Sequence, residues 1–265
     1  MIKQVYTKQD LPMEALRKAG LVHDGVLILD QDDLKALLSG RRTEMQRLEK
    51  LEFEGMIINS LDAKLSLQRD EAGVVELLYH PINKEPKASK YLTRTEAEML
   101  AKGDAVNLQK TVFDDNGRKM EVLIEFDNET NEFIVTDTEK ILAPDSINDI
   151  PLTPEQKERY RKGKEVEIGD GTTVQYSGTE KQGVRSNKLA FIASVLIDGG
   201  LSYVLYHALN KLFNKPRDQR KAGKMSEGYF KAWEKMEQQE QAKGFKSDIP
   251  SEAAEGEGYD GGLSR

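Results

Sequence analysis

The sequence predicts an α+β fold of tandem small units, each a short capped helix on an antiparallel β-meander, followed by an apolar helical segment and a charged helix. Three observations carry this. First, the stretch Leu92 to Gly103 (LTRTEAEMLAKG) returns at Leu152 to Gly163 (LTPEQKERYRKG) and, more loosely, at Leu29 to Gly40 (LDQDDLKALLSG), with leucine and glycine eleven positions apart each time. Second, residues of alternating polarity follow the copies, and alternation marks a half-buried strand. Third, from about residue 178 the chain becomes apolar and then highly charged. Internal repetition is the first feature to seek in a sequence, because it sets the architecture.

Each copy has a local physical reading. Thr93 and Thr153 sit where an N-cap accepts from an orphan N–H of the first turn, and Glu96 and Gln156 complete capping boxes. Pro154 falls at the first helical position, where its missing donor is harmless. Gly40, Gly103 and Gly163 end the helices as left-handed residues. Helices this short do not persist alone and need a sheet to lie on.

In chain order, residues 10–20 read as a brief helix and Val26 to Leu29 as a short apolar run. The first copy gives a helix over about Asp30 to Leu38, and a second helix is expected from Glu44 to about Phe53. Leu61 to Gln68 and Val74 to His80 read as paired strands across the turn at residues 70–73. After the second copy, Ala105 to Phe113, Met120 to Phe126 and Phe133 to Thr136 read as three strands, with Asn116-Gly117 the strongest hairpin signal. Residues 143–151 read as a link. The third copy has only Val166 to Ile168 and Thr173 to Tyr176, so it reads as truncated to two strands. Next come the apolar segment, a basic hinge (Lys215 to Lys224), a charged helix over about Ser226 to Lys243 and an acidic tail with little to bury. The expected divisions are 1–88, 89–145, 146–180, 186–214, 215–246 and 247–265.

Composition narrows the function classes. The chain has 265 residues, 38% of them hydrophobic and 32% charged, so cores must be small. A formal net charge of −7 argues against coating nucleic acid by bulk charge and leaves room for a local basic patch. The absence of cysteine excludes disulfides, thiolate catalysis and cysteine zinc sites, and suits the cytoplasm. The N-terminal MIKQVYTKQD carries no apolar signal core.

The apolar run from Leu189 to Leu209 is ambiguous. About ten Leu, Ile, Val and Phe residues favour bilayer insertion by roughly 3–6 kcal/mol in all, and Asp198 alone costs roughly 3. Ser194, Asp198 and Ser202, spaced by four, would draw one narrow polar stripe on a helix. Two readings stay open: a helical hairpin buried against protein, and a segment that enters or lies on a membrane.

Catalytic constellations are not found. His23, His80 and His207 stand at no metal-binding spacing, and there is no phosphate-binding glycine loop. Residues 169–178 (GDGTTVQYSG) read as a hairpin turn, and Asp114 to Gly117 as a plain turn that lacks the calcium-loop pattern. Asp32-Asp33 and Glu96 with Glu98 complement helix dipoles. No enzyme activity, metal or cofactor is therefore expected. Arg41 and Arg42, with Arg47 one turn on, are the best candidates for a phosphate or an acidic partner; the plain alternative is a solvated basic turn against Asp32, Asp33 and Glu44. Arg217, Arg220, Lys221 and Lys224 in the hinge are a second basic candidate.

The motifs SGRRTEM (39–45), LDAKLSLQRDEAG (61–73), the LTxxE…KG repeat, FIVTDTEKILAPD (133–145) and LTPEQKERYRKGKEVEI (152–168) resemble two domain-of-unknown-function families. The N-terminal part resembles family 4099 and the repeats family 3945, over roughly residues 1 to 215. Such proteins are typically encoded on conjugative or integrative elements, often beside a topoisomerase of the type III class. The resemblance implies an accessory role in mobile-element biology and assigns no catalytic residue. The expectation is a non-enzymatic scaffold that binds other proteins, DNA-processing ones among them. Two alternatives stand beside it: a nucleic-acid-binding accessory to a topoisomerase, and a membrane-associated component anchored by residues 189–209.

Overall fold

The computed structural model describes residues 5–53, 55–70, 72–113, 117–188, 190–197, 200–207 and 226–242. It is a mixed α and β chain of several small antiparallel sheets and few helices. After a 3-10 turn (Lys8–Asp10), α1 (Met13–Lys18) leads to a two-residue-stranded hairpin, β1 (Val22–His23) and β2 (Val26–Leu27). Then α2 (Gln31–Leu38) precedes a sheet of β3 (Gln46–Phe53), β4 (Met56–Arg69) and β5 (Val75–Pro81). Next, α3 (Arg94–Ala101) precedes a sheet of β6 (Asn107–Phe113), β7 (Lys119–Asp127) and β8 (Glu132–Asp137). The short strands β9 (Ser146–Ile147) and β10 (Ile150–Pro151) come before α4 (Pro154–Arg161). A third sheet is built from β11 (Val166–Glu167), β12 (Thr173–Tyr176) and β13 (Val184–Ser186). Finally β14 (Ala190–Ile197) and β15 (Gly200–His207) form a hairpin, and α5 (Glu227–Ala242) closes the described chain.

The caps read from sequence are present. Thr93 and Thr153 accept from the N–H groups of Glu96 (3.3 Å) and Gln156 (3.1 Å), and the Glu96 and Gln156 side chains accept in return from the Thr93 and Thr153 N–H. Asp30 caps α2 by accepting from Asp33 N–H at 2.7 Å. Gly163 does more than end α4 at φ +63°. A Cβ there would fall 2.6 Å from the Leu123 side chain, so the helix end is pressed onto the sheet of β6, β7 and β8. Gly103 has nothing within 4 Å and serves the cap alone.

Four expectations are corrected. Residues 46–53 of the expected helix from Glu44 to Phe53 are a strand. Leu48 and Leu51 are both buried, a spacing of three that imitates a helix. Left-handed Lys50 (φ +53°) produces it, because it resets the alternation between them. The link at 143–151 holds β9 and β10, which extend the hairpin of β14 and β15 into a four-stranded sheet in the order β10-β9-β14-β15. The third copy is not truncated to two strands, since β13 pairs with β12 from Val174↔Ser186 to Tyr176↔Val184. The apolar helical segment at 186–214 is, where described, a pair of antiparallel strands in register from Ala190↔His207 to Ile197↔Gly200. Phe191, Ala193 and Tyr206 join the largest core, with Leu123, Tyr160, Val174 and Tyr176. Ala190 and Ile192, on the other side of β14, are covered by Tyr229, Ala232 and Met236 of α5. Among the described residues no helix is long and apolar enough to cross a membrane.

Candidate functional site

The Arg41-Arg42 pair leaves α2 just after its C-terminal glycine. Gly40 takes φ +70°, and the N–H groups of Gly40 and Arg41 return to the carbonyls of Leu37 and Ala36 at 2.9 Å. Thr43 then ties the chain to β4, since its N–H donates to Leu65 O and its Oγ1 accepts from Leu65 N–H, both at 2.9 Å. Between these anchors the two arginines reach different neighbours.

Arg42 reaches the loop joining β7 to β8. Its Nη1 lies 2.9 Å from Glu132 Oε2 and 3.4 Å from Asp127 Oδ2, and donates to Thr130 Oγ1 at 3.1 Å. Lys64 and His80 pair across β4 and β5, so with Ser66 they share the face opposite the one that buries Ala63, Leu65 and Leu77. Lys64 Nζ lies 3.1 Å from Asp127 Oδ2 and 2.7 Å from Glu129 Oε2, and Lys87 Nζ lies 2.7 Å from Glu132 Oε1. Backbone bonds seal the joint: Asn83 N–H donates to Thr130 O, and Lys87 N–H to Asn131 O. Asp127 and Lys64 are only 2% and 3% exposed, so this is a buried clasp of alternating charge, not a surface patch.

The electrostatics reflect that burial. Desolvation opposes the Lys64 ammonium, but Asp127 and Glu129 outweigh it and raise its pKa. Desolvation likewise opposes the Glu132 carboxylate, and Lys87, Arg42 and His80 outweigh it and hold its pKa below the usual value. His80 is pushed down from 6.5 to about 4, first by burial and then by the Arg42 charge. The ring is therefore neutral at pH 7.

His80 also completes a suggestive row. Its Nε2 lies 2.8 Å from Ser66 Oγ and its Nδ1 lies 3.0 Å from Glu132 Oε2. A neutral ring with Nδ1–H given to Glu132 would accept from the serine hydroxyl, which is the connectivity of a serine-histidine-acid triad. Acyl transfer also needs converging donors for an oxyanion. Ser66 stands mid-strand, and its backbone neighbours are committed to the β4–β5 ladder from Ala63 to Arg69. Glu132 is already shared with Arg42 and Lys87. The row therefore satisfies buried polar atoms inside the clasp.

Arg41 reaches the loop joining β12 to β13. Its Nε donates to Lys181 O at 3.0 Å, and its side chain lies so close to Gly183 that a Cβ there would meet it at 3.1 Å. Lys181 in turn lies 3.7 Å from Asp30, the cap of α2. Nearby, burial pushes the Tyr176 and Tyr206 hydroxyls up to about 12 and raises Tyr160 well above its usual value, so all three are neutral phenols. Behind them Glu125 is fully buried. It accepts from Ser177 Oγ at 2.8 Å and from Gly178 N–H, with Arg185 3.9 Å away, and burial raises its pKa.

Arg41 and Arg42, expected as partner or phosphate contacts, make internal ties to Lys181, Asp127 and Glu132 in the described structure. Arg47 remains exposed and lies 3.7 Å from Asp62. Arg217, Arg220, Lys221 and Lys224 lie outside the described residues. Asp33, read as a dipole partner, is buried and accepts from Glu44 N–H and Gln46 Nε2 at 2.8 Å each. Sequence reasoning missed Lys64, Asp127 and Glu132. The available signal was that the last two carboxylates bracket a four-residue turn, and that Lys64 stands on the polar face of an alternating strand. Among the described residues, no group of three or more His, Asp and Glu side chains could hold a metal ion.

The clasp joins the N-terminal segment to the β7–β8 hairpin, and that segment has relatives. Residues 6–91 match the model of a family described as a protein of unknown function (DUF4099). Comparison with curated proteins and with solved structures found no match. The matched segment holds α1, α2, the sheet of β3, β4 and β5, and the cationic half of the clasp, Arg42, Lys64 and Lys87, with the neutral His80 beside them. The anionic half, Asp127, Glu129 and Glu132, comes from outside it.

Proposed function

We propose that the chain is a non-enzymatic accessory protein, a scaffold that binds other proteins, DNA-processing proteins of a mobile element among them. One observation carries the reading. The residues offering the best chemistry in the sequence, Arg41 and Arg42, are used to join the DUF4099 segment to the next two sheets. A platform of fixed sheets is what a scaffold requires, and the resemblance to mobile-element accessory families supplies the setting. In the same reading, α2, α3 and α4 with the three strands after each are copies of one unit, the later two of the family 3945 type. Their matching caps support this.

The test is an in-cell crosslink of the intact protein followed by mass spectrometry, beside turnover assays of the purified protein on nucleic acid and nucleotides. Recovery of topoisomerase or relaxase-type proteins, with no turnover, is expected. Stoichiometric turnover of nucleic acid or nucleotide would overturn the scaffold reading.

A further inference from the structure

Among the described residues, the five longer edge strands differ in how they discourage pairing with another chain. Charged residues and proline on an edge are the usual deterrents. β3 carries Arg47, Glu49, Lys50 and Glu52, and β5 carries Glu76 and ends at Pro81. β6 carries Lys110, and β8 begins at Glu132 and ends at Asp137. β15 (GLSYVLYH) is eight residues long and holds no Asp, Glu, Lys, Arg or Pro. It is the edge of the four-stranded sheet, and among the described residues only β14 pairs with it. Around β14 both faces of that sheet are occupied, by the largest core on one side and α5 on the other. Among the described residues, what the sheet leaves open is its edge.

We propose that β15 is a self-association edge on which a second copy of this chain adds its own β15, antiparallel, making one eight-stranded sheet. An uncharged strand meets itself without like-charge repulsion, and an antiparallel pair about a two-fold axis is an isologous, closed interface. The covering helices permit it. With strands about 4.8 Å apart, the two β14 strands would stand roughly 14 Å from each other. Two α5 helices over them would clear the 8–10 Å that packed helices need. This proposal adds a surface to the scaffold reading and does not depend on it.

The chain lacks cysteine, so a single introduced one is unique. The experiment is sedimentation equilibrium of the full chain, with mild oxidation of Val204→Cys, Ser202→Cys and a control, Ser60→Cys, placed on the unrelated strand β4. The expected result is a species at twice the 29.9 kDa chain mass, disulfide-linked at position 204 or 202 and not at 60. Ser202→Lys, a deterrent charge, should weaken the dimer at least tenfold with unchanged far-UV circular dichroism. A monomer at all concentrations would overturn the proposal and hand the edge to the chain's own residues 208–225 or to another protein. So would a dimer crosslinked at 60 and not at 202 or 204.

Discussion

Arg42 shows how one side chain can decide the junction between two sheets. It faces Glu132, Asp127 and Thr130 in a site where Lys64 and Asp127 are almost wholly buried. Removing one member of a buried pair strands the others, which costs about 3–5 kcal/mol. Glu132 keeps Lys87 and His80, so Arg42→Ala is expected at the low end, about 3 kcal/mol by urea unfolding, with a double-mutant cycle against Glu132→Gln showing clear coupling. His80 makes the same junction sensitive to acid. Its folded pKa of about 4 lies below the unfolded 6.5, so between those values the unfolded chain binds the proton and the folded one does not. Stability should therefore fall as pH drops from 6.5 toward 4, by about 2–3 kcal/mol in all. Glu132, with its lowered pKa, loses its contribution in the same direction at lower pH. Urea midpoints at pH 7 and 4.5 measure the effect, and His80→Gln should flatten the slope.

At the scale of elements, α3 and α4 look alike in sequence but have different tasks. Both open with a threonine capping box and close with a left-handed glycine. Gly103→Ala should cost only the left-handed strain, about 1 kcal/mol. Gly163→Ala adds a Cβ within 2.6 Å of Leu123 and should cost about 3 kcal/mol, a difference read directly from paired thermal or urea melts. Helix caps were legible because they are written within four residues. The hairpin of β1 and β2 was also written locally, as a two-residue turn at Asp24-Gly25, and in the sequence Asp198-Gly199 stands between β14 and β15. Asp-Gly is a strong hairpin signal. In the second case bulk hydropathy and a four-residue polar spacing outweighed it, and Asp198 was weighed as a membrane penalty. The strand from Gln46 was hidden for a different reason. Left-handed Lys50, which no local pattern announces, gives Leu48 and Leu51 the spacing of a helix.

For the whole molecule, the sheets are not beads on a string. Leu123 of β7 sits in one core with Tyr160 of α4 and Val174 of β12, while Arg41 and Arg42 bind the N-terminal sheet to both later ones. The body is expected to unfold in one transition by far-UV circular dichroism. By contrast, α5 is held mainly by Tyr229, Ala232 and Met236 and by the polar joint of Ser226 with Asn148 and Asp170. Trp233, the chain's one tryptophan, lies at that contact, so its fluorescence should change at lower urea than the dichroism. This long-range layer was the least legible in the sequence. Nothing near Arg42 names Glu132, about ninety positions away, and a basic pair after a glycine looks the same whether it faces solvent or a distant carboxylate.

The division of the clasp has a practical consequence for anyone who expresses the family segment by itself. Cutting at residue 91 keeps Arg42, Lys64, His80 and Lys87 and discards Asp127, Glu129 and Glu132. The fragment would carry a bare cationic face that the intact protein never shows. It should stick to DNA, heparin and cation-exchange resin in low salt, and that stickiness would belong to the scissors, not to the protein.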